Sequence, residues 1–159
     1  IGRRYAYVLL EAQVRPSLES GLVGWTFRRL DGEAMRAAAG ELLGVHDFSA
    51  FRSAECQAKS PVKHLRRLEI QRHGAYWRFD FEADAYLHHM IRNVMGCLIE
   101  VGSGMRSPAW LGEVLAGRDR ARAAPTFAAA GLYFIGPYYD SAHGIPEHTA
   151  TIDWLPQLR

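Results

Sequence analysis

The sequence is poor in cysteine, in lysine and in long apolar runs, and each shortage removes a class of protein. Its 159 residues hold two cysteines, Cys56 and Cys97, far apart and without partners at metal-ligand spacing, so neither a disulfide framework nor a zinc site is expected. No apolar stretch approaches the roughly 20 residues of a membrane-spanning helix, and the opening IGRRYAY lacks the layout of a signal peptide. The expected compartment is the cytoplasm, with no membrane partner. Phosphate-cradling glycine loops, nucleophile elbows and cysteine-based motifs are missing too, as is any internal repeat. What is present is a chain that is 48% apolar, enough for one domain with a real core.

The net charge is only +2, yet the cations are unevenly spread, and all but two of the 19 are arginines. Between residues 52 and 73, Arg52, Lys59, Lys63, Arg66, Arg67 and Arg72 face only Glu55 and Glu69, a local excess of four positive charges. Such a stretch suits an anionic partner; it also suits a plain solvated strand face, and composition alone leaves both open.

Periodicity outlines an α+β fold. RRYAYVLLEA alternates as a strand, with Tyr5, Tyr7 and Leu9 on one face, Ala6, Val8 and Leu10 on the other, and both faces apolar enough to be buried. After a loop through Gly21 and Gly24, Asp31 caps a helix carrying Met35, Ala38, Ala39, Leu42 and Leu43, stopped by Gly44. HDFSAF at 46–51 reads as a further short helical turn. Leu68 and Ile70, then Trp77, Phe79 and Phe81 after the turn at His73-Gly74, spell a β-hairpin with a polar face. Ser107-Pro108 opens a helix closed by Gly117, Asp119 caps a short basic helix, and Gly131–Tyr139 is a strand whose Pro137 fits an edge. Without a uniform strand–helix–strand rhythm, the sheet should be largely antiparallel with helices on one face.

The segment 81–102, FEADAYLHHMIRNVMGCLIEVG, concentrates the interest. Leu87, Ile91, Val94, Leu98 and Val101 recur in steps of four and three, and Met90, Met95, Cys97 and Ile99 widen that stripe beyond half the circumference, so a buried helix is expected. Inside it stands one formal charge, Arg92, with no carboxylate three or four residues away. A guanidinium at such a site costs several kcal/mol unless paired, so an anion must come from elsewhere in the chain, from another chain or from a ligand. Adjacent His88 and His89 invite a metal, but on a helix they would diverge by about 100° rather than share a face.

Together RRYAY at 3–7, HDFSAFR at 46–52, RHGAYWRFDFEAD, LHHMIRNVMGCLIEVGSG at 87–104 and GRDRARAAPTFAAAGLYF at 117–134 resemble, in order, the C-terminal half of TruA-type tRNA pseudouridine synthases. The resemblance covers nearly all of residues 3–139 and implies the C-terminal half of the pseudouridine synthase fold over residues 1–140, with 141–159 a tail of unassigned role. It departs from the family at one decisive place. The essential aspartate of the family lies in an Arg-Thr-Asp-Ala-Gly motif of the N-terminal half, absent here, and Asp119 in GRDRA matches a different part of the pattern. The chain thus resembles a fragment or separated domain supplying one wall of the cleft.

That resemblance implies isomerisation of uridine to pseudouridine in the anticodon stem-loop of tRNA, without cofactor or metal, usually by a homodimer. It implies that Arg92 pairs with the aspartate of the N-terminal half, that Tyr5 stacks on the target base and that Leu132 lines the base pocket. Taken alone, Tyr5 and Leu132 read as core, and Arg92 as a structural partner of Asp80, Glu82 or Asp84. Asn93 and His88 are candidates for the neighbourhood of the cleft. Lys63, Arg66, Arg67 and Arg72 on the hairpin, and Arg118, Arg120 and Arg122 near the short helix, are candidates for phosphate contacts. The sheet face expected to meet the other half-domain should expose apolar surface. Two other classes compete: an RNA-binding or dimerisation module without catalysis, and a metal-dependent hydrolase built on His88 and His89.

Overall fold

The strand opening the chain, β1 (Gly2–Glu11), is the spine of a six-stranded sheet, because its alternation is apolar on both faces and Ala6 through Leu10 are all buried. The computed structural model describes residues 1–147, 150–152 and 154. Along one edge of β1 runs the hairpin of β5 (Tyr76–Ala83) and β4 (Val62–His73), followed by β3 (Gly44–Asp47). The other edge is shared by the short β2 (Gly24–Thr26) and by β6 (Leu132–Tyr138). Every pairing is antiparallel except β1 with β2, so the expected α+β architecture with a largely antiparallel sheet holds.

Three helices, α1 (Gly32–Gly40), α2 (Met90–Gly102) and α3 (Pro108–Gly117), cover one face. They bury Tyr7, Leu9, Leu68, Ile70, Trp77, Phe79 and Phe81 against Met35, Val94, Leu98 and Leu111. Each such side chain contributes about 1.5–3 kcal/mol on leaving water. Asp31 caps α1 as its sequence suggests, accepting from the backbone N–H of Glu33 at 3.0 Å and Ala34 at 3.1 Å, a contribution of about 1 kcal/mol. At Gly96 the backbone carbonyl of Pro125 lies so close that any β-carbon would collide with it. α2 can therefore lie directly on the segment that returns to β6.

The helix-free face is divided between a small apolar cluster and paired charges. Ala6, Val8, Leu10, Val23, Ile135 and Ile152 form a second buried cluster at one end, while Arg4, Arg67, Glu69, Arg78, Asp80 and Glu82 cover the rest as paired charges, Arg67 to Glu69 at 2.6 Å and Arg78 to Asp80 at 2.9 Å. Charge, not exposed apolar surface, fills this side.

Several boundaries differ as well. α1 stops at Gly40, two residues before Leu42, and Leu43 is exposed. Gly44, at φ 102, begins β3 rather than ending the helix, and only Ser49–Phe51 of the HDFSAF run turns helically. Ser107 stands at the N-cap of α3 without lending its hydroxyl, and the left-handed residue closing that helix is Arg118, not Gly117. β2 replaces part of the loop read through Gly24. Of the tail 141–159, residues 148, 149, 153 and 155–159 lie outside the described part.

Candidate active site

The buried helix anticipated over 81–102 begins only at Met90, because β5 holds the chain extended to Ala83 and His89 adopts the left-handed conformation, φ 60 and ψ 8. That conformation costs a residue with a β-carbon roughly 1–2 kcal/mol, and it persists only where the surroundings impose it. The imposed geometry is specific. Leu87, His88 and His89 leave the stripe of α2 and form the lip of an open cavity of about 290 Å³, whose other walls are Arg3, Tyr5, Tyr86, Met90, Ile91, Arg92 and Leu132. The two imidazoles do not diverge as on a helix; their rings stack with centroids 3.8 Å apart. Among the described residues no group of three or more His, Cys, Asp and Glu is placed to hold a metal ion.

Arg92 sits in the first turn of α2, half-buried, and Phe127 fixes it twice. Its Nε donates to the Phe127 carbonyl at 2.8 Å, and its own carbonyl accepts from the Phe127 N–H at 3.1 Å. Its two terminal nitrogens have no partner among the described residues. The acids that sequence offered as structural partners are engaged elsewhere. Asp80 pairs with Arg78, Glu82 with Arg4 at 3.3 Å, and Asp84 accepts from the backbone N–H of His64 at 2.9 Å and of Ala85 at 2.7 Å.

Tyr5 projects from the helix-covered face of β1 into the same cavity, with the Tyr86 ring edge-on at 5.2 Å and the Phe134 ring at 5.2 Å. Phe134 is 51% exposed. Burial first, and then the nearby Tyr5, Glu82 and Asp84, raise the Tyr86 phenol above its ordinary range, so it stays neutral and donates to the Arg3 carbonyl at 3.2 Å. His89 is held below the usual imidazole range by burial, reinforced by His88 and Arg92. Tyr7, two residues along, is core, its hydroxyl on the Ala128 carbonyl at 2.8 Å.

The cavity therefore brings together Tyr5, His88, Arg92 and Leu132, and adds Arg3 and Tyr86, which sequence did not single out, and His89, which it raised only as a metal candidate. Only the AYLHH run before the apolar stripe hinted at Tyr86. Asn93 lies outside the cavity. Fully buried behind it, Asn93 donates to the Phe51 carbonyl at 2.8 Å and accepts from Thr126 Oγ1 at 2.6 Å and from Arg120 at 3.0 Å.

The candidate RNA contacts do not form one patch. Arg67 lies on the charged sheet face; Arg72 stacks over Trp77 on the opposite side and reaches Glu11 at 3.4 Å. Arg66 lies over Tyr138, and Lys63 pairs with His46 at the β3 edge. Arg118 meets Asp47 at 3.6 Å and Arg122 is exposed, whereas the guanidinium of Arg120 is turned inward onto Asn93, Thr126 and the Ala124 carbonyl.

Residues 38–140 match the family model described as tRNA pseudouridine synthase. The chain belongs to that family. Among its relatives, tRNA pseudouridine synthase A of Methylibium petroleiphilum is 68% identical over 155 residues, 98% of this chain and 60% of the relative. The tRNA pseudouridine synthase A of Polaromonas naphthalenivorans is 62% identical over 160 residues, 98% of this chain and 61% of its own length. This tRNA pseudouridine synthase family chain thus spans about 60% of the curated relatives it matches. No helix among its described residues is long and apolar enough to cross a membrane.

Proposed function

We propose that this chain is the C-terminal domain of a cytoplasmic tRNA pseudouridine synthase, residues 1–140 supplying one wall of the catalytic cleft. The rest of the enzyme supplies the opposite wall and the aspartate. The observation that carries this reading is Arg92, which lines a cavity with Tyr5 and Leu132 while no carboxylate of the described residues pairs with it. An aspartate from the N-terminal half completes the ion pair, and losing either partner strands a charge at a cost of about 3–5 kcal/mol.

The reaction breaks the C1′–N1 bond of uridine, turns the uracil and forms C1′–C5, with the C5 proton leaving and N1 gaining one. Oxidation state is unchanged, so no redox cofactor enters. The aspartate acts on ribose or base. The Tyr5 ring offers a stacking surface that tolerates rotation of the base in its own plane, and Leu132 keeps the pocket apolar. The substrate is the anticodon stem-loop of tRNA, bound across a homodimer. Basic residues among Lys63, Arg66, Arg67, Arg72, Arg118 and Arg122, which lie on more than one face, contact its phosphates, each contact steepening the salt dependence of binding by roughly 0.7–0.9 log units. Arg120 instead positions the wall of the cleft through Asn93.

Release of tritium from tRNA labelled at uridine C5 tests the reading. The full-length protein should release it and the isolated 159-residue chain should not. Activity of the isolated chain, or inactivity of a folded full-length protein, contradicts it. An RNA-binding module without catalysis would lack the Arg-Thr-Asp motif in the coding sequence upstream of Ile1.

A further inference from the structure

His88 is held more firmly than an exposed rim residue needs to be. Arg52 ties the loop 52–58 by donating to the carbonyls of Cys56 and Ala58, both at 2.9 Å. That loop grips His88 at three points. Ser53 Oγ meets His88 Nδ1 at 2.8 Å, the Ser53 N–H donates to the His88 carbonyl at 3.3 Å, and the His88 N–H donates to Cys56 Sγ at 3.3 Å. From the other side the His89 ring, placed by its left-handed backbone, stacks on the His88 ring. Two contacts hold the backbone and two fix the imidazole, which lines the cavity of Tyr5, Arg92 and Leu132 and whose Nε2 has no partner among the described residues.

We propose that His88 Nε2 is a hydrogen-bond donor to a carbonyl of the extruded uracil, making His88 a base-binding residue oriented by Ser53. The inference rests on the function proposed above. A neutral imidazole carries one ring proton; taking the Ser53 hydroxyl as the donor to Nδ1 leaves that proton on Nε2. A uracil between Tyr5 and Leu132 brings polar edges into a largely apolar pocket, and each edge atom needs a partner there. The Arg92 Nε is spent on the Phe127 carbonyl and the Tyr86 hydroxyl on the Arg3 carbonyl. The free Nε2 of His88 meets that need.

The test is steady-state tritium release by the full-length protein, wild type against His88→Ala, His88→Gln and Ser53→Ala. Because phosphates dominate tRNA affinity, a lost base contact appears in kcat. His88→Ala should lower kcat about tenfold with KM for tRNA nearly unchanged, one hydrogen bond's worth of barrier. His88→Gln, whose amide can still donate, should recover most of it, and Ser53→Ala should fall between. Should His88→Ala melt early, the order Ser53→Ala below His88→Gln carries the proposal alone. Wild-type kcat in His88→Ala, equal losses in His88→Ala and His88→Gln, or a change in KM alone would overturn it. If wild type is active and these variants behave so, only the role of His88 falls; if wild type releases no tritium, the cleft reading falls with it.

Discussion

Replacing Asn93 with alanine should destabilise the chain more than any other polar substitution in it, although Asn93 does not itself line the cavity. Its amide is fully buried and joins three segments: the Phe51 turn, Thr126 before β6, and Arg120 of the short helix capped by Asp119. Truncation leaves the Phe51 carbonyl without its side-chain donor, about 1–3 kcal/mol, and removes one charge-assisted bond from Arg120, about 1.5–3 kcal/mol. The Thr126 hydroxyl keeps Arg120 as a partner and softens the loss. The expected total is about 3–5 kcal/mol, a large part of the stability of a domain this size. At roughly 2–4 °C per kcal/mol, Asn93→Ala should melt about 10 °C below wild type by circular dichroism. Arg120→Ala in the same background should add less than it costs alone, because the two side chains share one bond. A melting temperature within about 3 °C of wild type, or additive losses, would refute the network as the clamp behind the cleft.

In the full-length protein Arg92→Met should cut tritium release at least about a hundredfold, since it removes the charge proposed to pair with the aspartate. In the isolated chain the same change should cost only about 1 kcal/mol, the bond to Phe127; a loss above about 3 kcal/mol there would mean a buried internal partner. Alkaline stability should follow the phenols. Burial raises Tyr7 and Tyr86, and the hydrogen bond to Glu19 pushes Tyr76 up to about 12. The unfolded chain ionises near its ordinary 10, so stability from these groups is whole below pH 10 and is lost as pH rises toward and past 12. Urea midpoints unchanged between pH 9 and 11 would contradict this. Gly96→Ala should cost more than about 2 kcal/mol, on the order of a severe overpacking substitution, because the new methyl meets the backbone carbonyl of Pro125 rather than a movable side-chain end; a wild-type melting curve would show that α2 can shift.

Much of the scaffold was legible because its pattern and its packing agree. Tyr7, Leu9, Trp77, Phe79 and Phe81 alternate in sequence and lie on one sheet face; Asp31 sits before a helical stripe and caps it. Sequence erred where local pattern met tertiary geometry. Leu87 falls on the period of α2, yet the left-handed His89 starts the helix after it and turns the two histidines into a lip. A three-residue parallel strand such as β2 carries no period of its own, and β3 exists because β4 offers it an edge. Within the cleft, Arg92 stood out as a charge in an apolar stripe. Tyr86 and His89 gave no comparable signal, since their places depend on the turn between β5 and α2. Nor could spacing reveal that Arg120 faces inward while Arg118 and Arg122 face out.

The position of the Arg92 guanidinium in the assembled protein decides the account. A structure of the full-length protein should place a carboxylate from outside this chain within about 4 Å of the terminal nitrogens of Arg92, facing the cavity of Tyr5 and Leu132. An Arg92 that points into water there, or is neutralised by an acid of its own domain, would contradict it.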